Sequence, residues 1–566
     1  MIAKKFLRRR ALVCTLISGL LGANAMAADG LVDVQVSGVG EVAQTANYAP
    51  LLDHHGDHAV EAAPEGESVV MEAPVAEGSA MPAPVAAPAY EPVPMAVPCN
   101  TCTTCCTDEK KEKATAAMKG AYKGVFYAND FSYLNDPCYD GPSFLGDGLK
   151  GLMDGRLDIG GEARVRYHSE NNHRARVPGL RGGGASPSGL GLTNNDDEFF
   201  LTRLRLFANY RVNDWLRLYG EYLYADSGGE TFSNRPIEEN RGEIQNLFFD
   251  VALTDSLSAR VGRQELLLGA QRLVSPLDWA NTRRSFEGAR GTYKGDGLTV
   301  DGFFVHPLNR NTANESKIDD ANENVDFYGV YATKSGLDIG TLDAYYLGLD
   351  NSVVDFSYHT IGTRLFGKTD GGTLFEFEGG FQFGDNAPGL GSHGAGFFTG
   401  GLGRVLNIGD WKPTVWMWYD YASGEEDFAD ASRGDDGFDH LFPLAHKYNG
   451  FMDLFGRRNL HDINAQFITP VAGSKKVKLL LWYHYFLLDE LTTPYDVTMN
   501  PYNTVSQAGD RELGHELDVL FNIGITPRQS LLIGYSYFSA GDYYDTTAGV
   551  PNNDADFFYT QYQARF

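Results

Sequence analysis

Arginine is the residue whose type and spacing first suggest chemistry. The stretch GRQELLLGAQRLVSPLDWANTRRSFEGAR, residues 262–290, carries five of them, Arg263, Arg272, Arg283, Arg284 and Arg290, around Pro276 and Trp279. Yet the 566-residue chain is acidic, with a formal net charge of -27. That balance argues against a nucleic-acid partner, because phosphate binding needs a basic surface that releases counterions. Any anion handled here must meet a local cluster of arginine or lysine set apart from the overall field.

The elements that position these groups follow from period two. In RLDIGGEARVRYH, residues 156–168, Leu157, Ile159, Ala163, Val165 and Tyr167 share one face, and Asp158, Glu162, Arg164 and Arg166 the other. In FFLTRLRLFANYRV, residues 199–212, Leu204, Leu206, Ala208 and Tyr210 oppose Arg203 and Arg205. Such alternation is the signature of a strand with one apolar and one polar face. It recurs near 215–226, 243–253, 257–268, 286–294, 297–306, 325–334, 337–349, 354–368, 372–384 and 394–408. Six more segments lie near 412–422, 459–470, 475–489, 513–524, 529–540 and 556–566, making eighteen strands in all. The 65 Gly, 30 Tyr and 34 Phe spread along the chain fit many short strands better than a helical core.

The connections alternate between short turns (VND, TDS, GDG, KSG, TDGG, AGSK, TPRQ) and long polar loops such as 169–198, 227–242, 423–458 and 490–512. Short turns at one rim and long loops at the other are the pattern of an all-β, antiparallel transmembrane barrel with apolar residues toward lipid. Closure satisfies every backbone hydrogen bond in hydrocarbon. Eighteen strands enclose a lumen wide enough for an aqueous channel. Strand parity turns Arg164, Arg166, Arg203, Arg205, Arg217 and Arg290 inward as a basic wall, and Glu162 with them. Later strands turn Glu376, Glu378, Asp420, Asp462, Glu516 and Asp518 inward as an acidic wall nearly opposite. Two walls of opposite sign would orient solutes and set ion selectivity. For any single member the plainer role is pairing with a neighbour, so the functional reading rests on the cluster.

The N-terminal third reads differently. KKFLRRR, ALVCTLISGLLG and Ala25-Met26-Ala27 have the charged, apolar and small-residue parts of a secretory signal peptide, residues 1–27. The apolar run is shorter than the ~20 residues of a spanning helix. Residues 28–98 are acidic and then Pro/Ala-rich, the composition of a disordered periplasmic linker. His54, His55 and His58 within it are read as solvated polar residues, with metal binding as the sharper alternative. Residues 99–155 carry Cys99, Cys102, Cys105, Cys106 and Cys138, which in an exported chain suggest disulfides before a zinc site. The aromatic stretch from about 120 to 155 is rich enough to pack as a small plug or docking element.

The strand end Gly262-Arg263-Gln264-Glu265, followed by Trp279, Asn281, Thr282, Arg283, Arg284, Phe286 and Gly288, resembles the alginate-export family of outer-membrane barrels. The likeness extends more loosely over 156–566. It implies an eighteen-stranded barrel with an arginine-lined constriction that exports a linear polyuronate. Guanidinium groups suit that task, since they bind carboxylates bidentately and stay charged at any relevant pH. Strand parity breaks near Arg263, where a bulge or strand end is needed, and Arg283 and Arg284 either line a gate or cap the rim.

The resulting expectation is an outer-membrane channel for an anionic polysaccharide or other anionic solutes. The alternatives are a general diffusion porin, or a structural barrel that tethers the outer membrane to a periplasmic partner through residues 28–155. The final strand DFFYTQYQARF, ending in Phe566, resembles the signal read by the outer-membrane insertion machinery. No cofactor or resident metal is expected, and no catalytic set: Gly-x-Ser-x-Gly does not stand out, and His484 and His515 read as structural strand histidines.

Overall fold

The structure, a computed structural model, describes residues 106–173, 196–232, 234–235, 237–310, 318–408, 411–426, 435–471, 474, 476–502, 507–547 and 553–566. The readings of the signal peptide, the linker, its histidines, Cys99, Cys102 and Cys105 fall outside these residues.

Eighteen antiparallel strands follow one another around a closed sheet. In chain order they are β1 Leu157–Asn171, β2 Asp197–Arg211, β3 Leu216–Gly228, β4 Asn240–Ala252, β5 Leu257–Gln264 and β6 Phe286–Gly295. Then come β7 Leu298–Pro307, β8 Val325–Leu337, β9 Gly340–Asn351, β10 Phe356–Lys368, β11 Thr373–Asp385 and β12 Ser392–Val405. The last six are β13 Thr414–Ala422, β14 Leu460–Pro470, β15 Val477–Leu487, β16 Glu512–Thr526, β17 Gln529–Ala540 and β18 Ala555–Arg565. Pairing of β1 with β18, with Ala163 opposite Ala564, closes the ring and leaves no free edge. The chain terminus completes the seam, Phe566 N donating to Gly161 O and Gly161 N to Phe566 O.

Alternation sorts the side chains as period two requires. Val165, Phe200, Leu247, Met417 and Leu517 are exposed on the outer face, while Arg164, Arg203, Glu378 and Glu516 are buried on the inner one. Burying charge and exposing leucine inverts the order of a water-soluble protein, and it is the order a lipid solvent imposes. The expected strands are therefore present, and the largest boundary difference is at β5, which ends at Gln264 where an extension to 268 was expected. Two glycines explain the early end: Gly262 has φ +125° and Gly288, its partner across the ladder, φ +154°. A Cβ on Gly262 would lie 2.3 Å from Leu247 O. Gly262→Ala is therefore expected to lower barrel stability by about 1–3 kcal/mol, read as an earlier loss of heat-modifiable mobility on gels.

Ahead of the barrel, helix α1, Asp108–Lys119, begins at Thr107, whose side chain accepts from Lys110 N. Acidic residues in its first turn and Lys119 in its last suit the helix dipole. A disulfide between Cys106 and Cys138 joins the start of α1 to the turns that follow. Met118, Val125, Phe126, Tyr127, Phe131 and Tyr133 then pack on Phe207, Tyr219 and Phe248, which project inward from β2, β3 and β4 near the short-turn end. The aromatic stretch thus docks inside one mouth of the barrel.

Candidate functional site

The basic wall arises from the pairing of β1 with β2, which sets Arg164 opposite Arg203 and Glu162 opposite Arg205. Two like charges directly opposed repel, so the wall needs anions. They come from Glu162 and Glu221 on the strands and from residues 265–285, the connection between β5 and β6, which turns inward. Arg164 donates to the carbonyls of Asp278, Trp279 and Ala280 at 2.9, 3.2 and 3.3 Å. Arg203 donates to Asp278 O at 2.9 Å, to Asp278 Oδ1 at 2.8 Å and to Glu162 at 2.7 Å. Arg205 pairs with Glu221 at 2.6 Å and lies 3.8 Å from Asp278 Oδ1. Arg283 pairs with both Glu265 and Asp278. The Asp278 carboxylate is therefore met by three guanidiniums, halfway along the strands, with the Arg166 guanidinium 3.3 Å from the Trp279 ring.

The acidic wall is matched in the same way. Arg272, from the same inward loop, reaches Glu376 and Glu378 at 2.5 and 2.6 Å, and Arg364 of β10 reaches Glu376 at 3.0 Å and Asp343 at 3.2 Å. Residues 435–459, between β13 and β14, supply Arg457, which pairs with Asp420 at 2.6 Å. Their backbone also serves: Met452 N donates to Glu516 at 2.9 Å and Phe451 N to Asp518 at 3.4 Å. His484 lies between Asp462 and Asp518 at 2.8 and 3.7 Å. The two loops are themselves laced together, Ser275 N donating to Phe442 O and Phe442 N to Leu273 O, both at 2.9 Å. Trp279 stacks on His446 at 4.4 Å. Burial, with Arg166 and His168 alongside, holds that imidazole well below its ordinary pKa.

Two corrections follow. The walls do not face each other across open water, because the loops stand between them and each carries the complementary charge. The physical reason is the cost of burial: a charge in this interior persists only when it is paired or hydrogen-bonded. Second, the expected arginines separate into groups. Arg164, Arg166, Arg203, Arg205 and Arg283 converge on the loop. Arg217, paired with Asp250 at 2.5 Å, and Arg290, with Asp301 at 2.8 Å, lie toward the short-turn end. Arg263 belongs to neither group, since it pairs with Glu243 and Glu287 and donates to Asp319 O at 2.6 Å, at the long-loop rim. Arg284 neither caps the rim nor joins the wall: it braces the two loops through the carbonyls of Ser275 and Pro443.

Strand parity could not find Arg272, Asp278 or Arg457, which sit in loops, and Glu265, expected inside strand 257–268, lies just past the end of β5. The available signal was composition: residues 265–285 carry Leu266, Leu268, Leu273, Val274, Leu277 and Trp279, all buried, in a connection that water-facing loops would make polar.

A third loop segment, 490–502, is locked by Tyr502 to Leu454 O and by Gly456 N to Tyr495 O. Within it, burial pushes the Asp496 carboxyl up to about 6, against hydrogen bonds from Thr498 and Asn500 that pull it down. A raised acid favours the folded segment when neutral. The contribution, at most about 3 kcal/mol, is complete below pH ~4 and lost as pH rises through about 6. Protease protection of 490–502 is expected to improve between pH 7 and 5, and Asp496→Asn should hold it at the low-pH level throughout.

A closed, charge-lined barrel with an outward apolar band is an outer-membrane β-barrel channel in its architecture. The alginate export family model matches residues 156–558, and the chain belongs to that family. No curated protein matches the sequence. Among solved structures, OpdQ of Pseudomonas aeruginosa overlaps at 12% identity and TM-score 0.48, covering 72% of this chain and 97% of that one. OccK8 (OprE) of the same organism gives 13%, 0.48, 72% and 98%. OccAB1 of Acinetobacter baumannii gives 13%, 0.48, 75% and 99%.

Proposed function

We propose that this barrel passes an anionic polysaccharide of the polyuronate class, or other anionic solutes, along its basic wall. One observation carries the reading: Arg203, Arg205 and Arg283 hold the Asp278 carboxylate at mid-barrel. Asp278 is a carboxylate on a connection between strands, and each uronate of a polymer presents the same group. A chain that displaces Asp278 would find the same three donors, bound bidentately and in series. By the usual orientation of such barrels, with short turns in the periplasm, the 106–155 segment lies on the periplasmic side and the inward loops descend from outside. The linker ahead of it would reach a periplasmic partner, and the C-terminal strand would carry the chain to the insertion machinery.

The test is ion selectivity in planar bilayers, comparing the intact chain with Arg203→Ala/Arg205→Ala, with a polyuronate added to one side. Anion preference and polyuronate block in the intact channel, both lost in the variant, are the expected results. A wide channel indifferent to both would be a diffusion porin. A barrel that never conducts, even with the loops released, would be structural.

A further inference from the structure

The short-turn mouth is the part of the barrel that the anion pathway leaves unexplained. Three of its arginines, Arg217, Arg260 and Arg528, and with them Arg205 at the constriction, carry aromatic rings or carbonyls from the 106–155 segment. The Arg205 guanidinium lies 3.7 Å from the Phe126 ring, and that of Arg260 4.0 Å from the Tyr127 ring. Arg217 donates to Tyr127 O at 2.9 Å. Arg528, in the turn between β16 and β17, donates its side chain to Met118 O at 3.2 Å and Tyr133 OH at 2.8 Å. The rings of Tyr122 and Phe144 lie 4.8 and 5.2 Å from it. All these partners of Arg528 belong to the segment, whereas Arg217 and Arg260 also have Asp250.

The segment also touches the inward loop. Tyr127 OH donates to Glu265 O at 2.9 Å, and Arg283 donates to Gly124 O at 2.9 Å. Arg283 is the same residue that holds Asp278 and Glu265. One side chain therefore ties together the constriction from one mouth and the segment from the other.

We propose that residues 106–155 are a displaceable plug that seals the short-turn mouth and steadies the constriction loop through Gly124 and Tyr127. An anionic chain arriving at that mouth would take the place of the rings on Arg205, Arg260 and Arg528; this last step rests on the anion-channel reading. The geometry supports displacement because the apolar cluster on Phe207, Tyr219 and Phe248 sits at the mouth and the polar contacts around it are ring–guanidinium contacts and single hydrogen bonds, on a segment covalently continuous with β1 only at its C-terminal end. Release of the plug would remove one of the three acceptors that hold Arg283, and so loosen Asp278 above it.

The test uses the full chain in planar bilayers, with Phe126→Ala/Tyr127→Ala as the plug-loosening variant. Protease added on the short-turn side should cut within 106–155 in the variant and spare the intact protein. The variant should occupy open states at least tenfold more often. Cleavage of the plug in a barrel of unchanged heat-modifiable mobility, with no gain in conductance, would overturn the proposal, as would an intact chain that already conducts as freely as the variant. Should the double variant fail to fold, Tyr127→Phe removes only the hydroxyl that holds Glu265 O. Several-fold more opening is then expected, and unchanged opening would refute the link to the loop. An opened variant with no anion preference would sink the channel's proposed selectivity while leaving the plug intact. A plug that never releases would do the reverse.

Discussion

Asp278→Ala should turn the barrel toward anions, with anion-over-cation permeability rising several-fold in a salt-gradient reversal-potential measurement. The argument is one of charge balance. Arg203, Arg205 and Arg283 lie within 0–1% side-chain exposure, and Asp278 is the anion they share. Removing it leaves four buried guanidiniums, those of Arg164, Arg203, Arg205 and Arg283, with only the three carboxylates of Glu162, Glu221 and Glu265. An uncompensated buried charge costs about 3–5 kcal/mol, enough to draw in chloride and water or to expel the loop. Either route opens a positively charged path. Asp278→Asn separates the two, because it keeps shape and the backbone carbonyls that Arg164 uses while deleting the charge. If Asn gives the anion shift with the loop still protease-resistant, mobile anions have replaced the carboxylate. If only Ala gives it, the loop has left. No shift in either variant would mean that Asp278 does not mask the basic wall.

Much of this site is legible in the sequence, and the part that is not has a physical cause. Arg164, Arg166, Arg203 and Arg205 are read inward because a strand repeats every two residues, and one slip would move the whole apolar set to the wrong solvent. The same rule places Glu376, Glu378, Asp420, Asp462, Glu516 and Asp518 on the inner face, where the structure buries all but Glu376 almost completely. The plainer expectation for each, pairing with a neighbour, also describes what is seen. What period two cannot carry is the path of a loop. Arg272 and Asp278 are six residues apart and reach opposite walls, a separation fixed by long-range contacts with Phe442 and Glu378 that no local pattern encodes. The rim position of Arg263 is a case between: its neighbour Gly262 marks the break in alternation, but only the positive φ shows where the strand stops.

Arg272→Ala should shift selectivity the opposite way, toward cations, and the pair of results tests the whole arrangement. Arg272 is fully buried and bridges Glu376 and Glu378, with its guanidinium 4.3 Å from the Tyr448 ring. Arg364 would still reach Glu376 and face Glu378 across the ladder, but among the described residues Glu378 would keep only the Tyr345 hydroxyl, at 3.2 Å, as a hydrogen-bond partner. The loss should again cost about 3–5 kcal/mol locally, and the two carboxylates would then recruit sodium or calcium from the medium. A reversal potential that moves to the cation side, more so with Arg457→Ala added to free Asp420, is the expected outcome. Arg272→Lys should recover part of the charge but not the two-carboxylate fork, since an ammonium is a point charge, and its selectivity should fall between. Opposite shifts from Asp278→Ala and Arg272→Ala would mean that each wall is neutralised by one end of a single loop. Shifts of the same sign would instead make loop release the common cause and leave the wall charges without influence on selectivity.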